Sequence, residues 1–521
     1  MKKLYFYDTT LRDGAQTKGV DFSIQDKIHF CHKLDSLNID YIEAGWPGAN
    51  PNDTVFFKNL PTLKHSKIVA FGMMTKKNTH NQPDDLFKTV INSHANVICL
   101  VGKTYDYHVT LALNMSLDEN LHNLAFSFNE AQKTNKEILF DAEHFFDGFK
   151  ANQEYSLKCL EVAQKSGIKT IILCDTNGGS MPQEIANITQ QVITHFPDLI
   201  IGIHCHNDCE LAVANSLSAI QAGATHIQGT INGLGERCGN TNLCSVIATI
   251  LLKKPFCDLF TVSINHTHLK NLSEVSHNLT DMLNQPLALN LPYVGQNAFA
   301  HKGGLHVSAV IKDPATYEHI EPELVGNKRI IPVSTQSGRS NIIMRLKEFP
   351  CDFELSSQQI QEVLEAIKHA ETQGYGFDSA GASFYILVLR VIDKLPQYFV
   401  INEFRATSNG HTAEAIVKMT INAHNIMNIA EGQGPVDALY NALVKDLGIY
   451  HDIIKNIHLE DFKVRIIGSS TAAKTRVLID FKDHNQHRWS TVGVSHDIVN
   501  ASFEAILEAI FYYLKISNIK S

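Results

Sequence analysis

The chain lacks every signal of a membrane or secreted protein. No apolar run is long enough to span a bilayer. The segment Met1-Lys2-Lys3 leads straight into a strand-like run, without the apolar stretch and cleavage site of a secretory leader, which predicts a cytoplasmic location. Its 10 cysteines contain no Cys-x-x-Cys pair and form no disulfide framework. Basic residues form no stripe: 45 of them are scattered among 54 acidic ones, for a net charge of −9. Nucleic acid and membrane surfaces are therefore poor partners. A glycine-rich dinucleotide loop is also missing after the first strand-like run, which disfavours an open doubly wound sheet.

What remains is a globular composition, 44% hydrophobic and 19% charged, in 521 residues. That length predicts about two to four units, fewer if one is a large α/β barrel. Up to about residue 275 one pattern repeats: a short β-rich run ending in polar residues, then an amphipathic helical stretch. The runs are LYFYD (4–8), DYIEAGW (40–46), KIVAFGMM (67–74), NVICLVG (96–102), EILFDAEHF (137–145), KTIILCDTNG (169–178), LIIGIHCHND (199–208) and THIQGTINGLGE (225–236). Eight such runs alternating with helices predict an α/β fold, a (β/α)8 TIM barrel, over residues 1–280. Helices are expected within 23–38 and within 210–223, the latter closed by Gly223.

Residues 281–395 break this rhythm. Prolines, glycines and histidines cluster there, apolar residues stay plentiful, and a helix is expected at 357–373. This reads as a linker region of small helical subdomains. Residues 396–521 carry an internal repeat: FVINEFRATSN and TAEAIVKMTIN as strands, then GPVDALYNALVKDL as a helix. FKVRIIGS, KTRVLIDF and HRWSTVGVS follow as strands, then NASFEAILEAIFYYL as a helix. Two β-rich halves, each closed by a helix, predict a C-terminal α+β regulatory or dimerisation domain.

In a barrel of this kind the chemistry sits where the strands end. The strand ends supply Arg12 and Asp13, Glu43, Asp141 and Glu143, Asp175-Thr176-Asn177, His204 and His206, and Asn232. All are expected to converge on one cavity. His204 and His206, at i and i+2 of one strand, share a face. With Asp13 from the first strand and Asn240 after the eighth, they form an N/O donor set suited to a catalytic divalent ion: zinc, manganese or magnesium. Arg12, beside Asp13, can hold an oxyanion formed when a polarised carbonyl is attacked, and Glu43 can pin Arg12. Glu143 is the better of two inward carboxylates for proton transfer, with Asp141 a layer deeper. Thr176 offers a hydroxyl, to a substrate carboxylate or simply as a strand-end cap. A small apolar cup is expected near Phe71, Met73 and Leu100.

These motifs resemble the superfamily of barrel metal enzymes with the Asp-Arg-Glu signature, which includes isopropylmalate synthases, homocitrate synthases and hydroxymethylglutaryl-CoA lyases. The likeness runs in order through DTTLRDGAQ, HCHND, NGLGERCGN, GLHVSAV, YEHIEPELVGN, GQGPVDAL and TAAKTRV. DYIEAGWPGANPND and DAEHFFDGFKAN, with Ala15 in place of a common glutamate, look like the citramalate synthase branch. Cys238 lies only two residues before Asn240, without the glycine-rich loop of the lyases, which speaks for the synthases.

The resemblance implies metal ligands at Asp13, His204, His206 and Asn240. It implies catalytic roles for Arg12, Glu43, Glu143, His306 and Tyr317, and substrate binding by Arg12 and by Thr176, the latter at the carboxylate. It implies acetyl-CoA and pyruvate as substrates and isoleucine as effector. His306 and Tyr317 would come from a neighbouring subunit's linker, which implies a homodimer or a larger assembly. The alternatives are 2-isopropylmalate synthesis from 2-oxoisovalerate, or a non-catalytic amino-acid sensor that kept the barrel.

Overall fold

A computed structural model describes residues 1–75, 82–331, 338–467 and 473–517. The end of FKVRIIGS and the start of TAAKTRV lie outside the described residues.

The chain divides into two compact units. The first comprises residues 1–299 and 320–328, the second residues 300–319 and 329–521. The first is a closed barrel of eight parallel strands. They are β1 (Tyr5–Asp8), β2 (Tyr41–Gly45), β3 (Lys67–Met73), β4 (Val97–Lys103), β5 (Glu137–Glu143), β6 (Thr170–Asp175), β7 (Ile200–Cys205) and β8 (His226–Gly229). Closure comes from β8 pairing with β1, Tyr5 against His226 and Asp8 against Gly229. The expected helices are present as Ile24–Ser36 and Ala212–Gln221. Ser23 starts the former with a reciprocal capping box to Asp26.

Strands buried on both faces account for the near-continuous apolar runs. One face of each strand packs under the helices, as Phe6, Ile42, Ile98, Leu100, Phe140, Ile171, Leu173, Ile203 and Ile227 do. The other face fills the barrel with Tyr7, Tyr41, Val69, Val97, Cys99, Leu139, Ile172 and Cys174. Towards the carboxyl ends the inward positions turn polar: Glu43 above Tyr41, Asp141 and Glu143 above Leu139, and His204 on β7. The two-residue side-chain period therefore delivers the charges to one mouth.

The same period corrects two sequence expectations. Leu100 is out of phase with the cavity and sits buried under the helices; Val101 takes the expected place in the cavity wall. Asp175 and Asn232 also turn away from the mouth. Asp175 accepts from Ser180 Oγ at 2.9 Å and Asn215 Nδ2 at 3.4 Å. Asn232, at φ +60°, is held by Ser276.

In the second unit the helix Ser357–Gln373 appears as expected. Two three-stranded antiparallel sheets follow, each closed by a helix. The first is β9 (Val400–Ser408), β10 (Ala413–Ile421) and β11 (His424–Gly432), with helix Pro435–Lys445. The second is β12 (His458–Ile467), β13 (Lys474–Lys482) and β14 (Arg488–Ser495), with helix Ile498–Ile516. The internal repeat is thus βββα in both halves. β11 escapes a reading by pattern because its outward residues include Met427 and its inward ones Asn428, which breaks the alternation. Among the described residues no helix is long and apolar enough to cross a membrane.

Candidate active site

The turn after β1 explains the adjacency of Arg12 and Asp13. The Asp8 carboxylate accepts from the Thr10 N–H at 2.9 Å and the Thr10 hydroxyl at 2.7 Å. The Thr9 carbonyl accepts from the N–H groups of Arg12, Asp13 and Gly14, at 3.2, 2.9 and 3.1 Å. This tight knot swings both charged side chains over the barrel mouth.

Glu43, fully buried at the end of β2, holds the knot from below. It accepts from Arg12 Nε at 2.5 Å, from the Thr9 hydroxyl at 2.6 Å and from the Tyr7 hydroxyl. Arg12 also donates to Asp13 Oδ2 at 3.0 Å, and its guanidinium lies 3.9 Å from the centre of the Phe71 ring. Burial works against the charge of Arg12, but Glu43 and then Asp13 raise its pKa above the ordinary value.

Asp13, His204 and His206 are buried, and a donor atom of each lies within 4.8 Å of the other two. His204 Nε2 stands 3.2 Å from His206 Nε2 and 3.8 Å from Asp13 Oδ2. The tautomer of His204 follows from its other side. Gln228 Nε2 donates to Asp141 Oδ1 at 2.9 Å, so Gln228 Oε1 faces His204 Nδ1 at 2.8 Å. An amide oxygen only accepts, so Nδ1 carries the proton and Nε2 presents a lone pair to the cluster.

Burial would raise the Asp13 carboxyl, but Arg12, then His204 and His206, hold it at about 2. Burial and then the His204 neighbour hold His206 at about 3. An anion and two ring nitrogens, that of His204 with its lone pair forward, thus face one another. Asn240 joins them: it pairs with His206 across an antiparallel bridge and donates from Nδ2 to Asp13 Oδ1 at 2.8 Å. Its Oδ1 is buried, with no hydrogen-bond partner among the described residues. Facing acceptors and an orphaned amide oxygen are what a cation would satisfy, so the residues present fit a divalent ion.

The cavity above them measures about 300 Å³ and is lined by Arg12, Asp13, Asp141, Glu143, Thr176, His204 and His206, with Phe71 and Met73 as expected. Burial, with Glu43 next, pushes Asp141 up to about 6. Glu143 pairs with Lys103 Nζ at 2.7 Å. The Thr176 hydroxyl oxygen accepts from the His144 N–H at 2.8 Å, which leaves its own proton free to donate into the cavity. His306 and Tyr317 belong to the second unit, where their rings stack at 4.3 Å.

Three participants escape the sequence reading. Gln228 is a lone amide in a four-residue strand. Lys103 stands at the next inward position after Val101, and parity would have found it. Arg237, at φ +57°, pairs with Asp208 at 2.8 and 2.9 Å and donates to the Thr176 carbonyl at 2.8 Å, tying together the loops after β6, β7 and β8.

A closed barrel with a convergent Asp-His-His-Asn cluster and an arginine beside it defines the class, and comparison with known proteins agrees. The profile of the HMGL-like family matches residues 3–276. The homocitrate synthase post-HMGL domain-like profile matches residues 293–374, and that of the LeuA allosteric (dimerisation) domain matches residues 380–514. The chain belongs to the HMGL-like family.

Within it, the chain groups with the (R)-citramalate synthases. It is 44% identical to that of Aquifex aeolicus, covering 98% of each chain. It is also 44% identical to that of Geobacter sulfurreducens, over 99% of this chain and 98% of the relative. The 2-isopropylmalate synthase of Dictyoglomus turgidum is 31% identical over 98% of each chain.

Proposed function

We propose that this enzyme joins acetyl-CoA to pyruvate and hydrolyses the thioester, giving (R)-citramalate and free CoA. The observation that carries this reading is the buried cluster of Asp13, His204 and His206, ring nitrogens inward, with Arg12 beside it and a carboxylate and a hydroxyl across the cavity.

Asp13, His204, His206 and Asn240 Oδ1 would hold a divalent ion. When bound, it supplies Lewis-acid polarisation of a 2-oxo acid's carbonyl. Thr176 donates its hydroxyl proton to the substrate carboxylate. Arg12, locked by Glu43 and Asp13, meets the negative charge that grows on the carbonyl oxygen as the acetyl carbon attacks. Because Glu43 holds it from below, Arg12 needs no reorganisation at that moment. Glu143, held at Oε2 by Lys103, moves the proton leaving the acetyl methyl group, working with His306. Water then cleaves the thioester, so one acetyl-CoA, one pyruvate and one water yield citramalate and CoA.

His306 and Tyr317 act from a second copy of the chain in this reading, so the working enzyme is at least a dimer. The match to a dimerisation domain supports that. Three functional parts follow: barrel 1–280, linker 281–395 and regulatory domain 396–521.

The test is thiol release with pyruvate and acetyl-CoA. His204→Ala and Asp13→Ala should each reduce it at least ~100-fold; near-normal turnover in either removes the metal-assisted reading. A panel of 2-oxo acids should place pyruvate above 2-oxoisovalerate in kcat/KM. Isoleucine should bind the full-length chain and inhibit it. No calorimetric heat and no inhibition with isoleucine in large excess would exclude it as effector.

A further inference from the structure

A second cavity, of about 330 Å³, lies beside the first. It is walled mainly by apolar side chains, among them Leu86, Phe87, Val90, Leu113 and Met115. Five residues line both cavities: Trp46, Met73, Val101, Lys103 and Glu143. A residue that lines two neighbouring spaces forms the wall between them. The wall has two large apolar members on its near side. Trp46 packs edge-on against Phe71 at 5.6 Å. Met73, the last residue of β3, is 41% exposed and unbranched.

We propose that Trp46 and Met73 are the specificity-determining partition of this enzyme. They close the reacting cavity against the apolar one and so confine the 2-oxo acid to a short side chain. The proposal rests on the condensing activity given above and adds how the acceptor's size is set. The space beyond the partition has the chemistry of an aliphatic tail site. Among the described residues its lining holds no cation apart from Lys103, which is engaged with Glu143. Removal of the partition joins the two spaces, and the additional methylenes of a longer acceptor enter apolar surroundings. Discrimination of about tenfold or more per methylene is the usual range for such a pocket.

The experiment compares kcat/KM for 2-oxohexanoate and pyruvate, with acetyl-CoA saturating, in the wild type, Trp46→Ala and Met73→Ala. Trp46 supports Phe71, on which Arg12 lies, so its loss can also disturb the site. Met73 is at the rim, and its truncation leaves the core intact. The ratio of 2-oxohexanoate to pyruvate should rise at least ~10-fold in Met73→Ala. A further change, Leu113→Trp, refills the apolar cavity without touching the first one and should cancel the gain.

An unchanged ratio in a folded, pyruvate-active Met73→Ala enzyme overturns the partition. So does a gain that survives Leu113→Trp, because the tail then lies elsewhere. Wild-type enzyme that releases no CoA with pyruvate would sink the functional reading instead, and is separable from both results.

Discussion

Gln228 shows how much of this site depends on one uncharged side chain. It is fully buried and bonded at both ends, to Asp141 and to His204. Through the second bond it fixes which ring nitrogen of His204 faces Asp13. Gln228→Leu should leave the fold standing and weaken binding of manganese or zinc ~10–100-fold, read by competition with a chromogenic chelator. Unaltered affinity would mean that His204 is oriented by packing alone. The histidine pair itself was legible in the sequence, since a period of two puts i and i+2 on one face. Asp13 and Arg12 were legible from their place after the first strand. Gln228 was not, because an amide in a short buried strand reads like any polar interruption. The outward turn of Asp175 was also hidden: a strand-end aspartate caps a loop as readily as it enters a cavity, and here Ser180 and Asn215 claim it.

At the scale of the element, the end of β2 illustrates a loop built around a buried charge. Gly45 has φ +146°, and a Cβ there would lie 2.5 Å from the Asp53 carboxylate. That carboxylate accepts from the Trp46 N–H at 2.8 Å and pairs with the buried Lys27 ammonium, which also donates to the Ala44 carbonyl at 2.7 Å. Asn50 caps the short helix Pro51–Phe56 through the Asp53 N–H. The segment therefore presents Trp46 to both cavities because Lys27 and Asp53 neutralise each other beneath it. Lys27→Met should cost about 3–5 kcal/mol, since it strands a buried carboxylate, and should lower the urea midpoint accordingly. Lys27→Met with Asp53→Leu should recover part of that loss. Equal damage in the single and the double variant would show that the pair contributes nothing beyond shape. Strand and helix existence was the most legible level of this protein: seven of the eight barrel strands fall inside the predicted runs, and β4 overruns its run only by Lys103. The failures came where alternation breaks, as in β11, and where a phase error of one residue moves a side chain to the other face, as at Leu100.

For the whole molecule, the barrel's response to acid follows from four buried groups that oppose one another. His226 is enclosed by the rings of Tyr5, Tyr7 and Tyr41, and neither of its nitrogens has a hydrogen-bond partner among the described residues. Burial holds it at about 3, and His206 is held at about 3 as well. Below about pH 6.5 the unfolded chain takes up protons that these rings refuse. Acid therefore removes stability, by at most about 1.4 kcal/mol per group and pH unit. Asp8 and Asp141 act in the other direction. Burial pushes them up to about 7 and about 6, so the folded state keeps protons that the unfolded state sheds above about pH 4, and their stabilisation is lost as pH rises through those values. Between about pH 4.5 and 6 the two pairs offset, and the urea midpoint of the metal-free protein should fall gently as pH rises, because burial also raises the carboxyls of Asp175 and, in the second unit, Glu508. Below about pH 4 Asp8 and Asp141 are protonated in both states, and of these four groups only the histidines still cost stability. Asp13, held at about 2, adds to the loss there, because its contribution disappears as pH falls through that value. His226→Leu removes one of the two opposing histidines. The urea midpoint of that variant should climb as pH falls from about 6 to 4.5, and its acid transition should move to lower pH. An acid profile identical to that of the wild type would mean that the unpartnered imidazole, for all its burial, does not govern how the barrel meets acid.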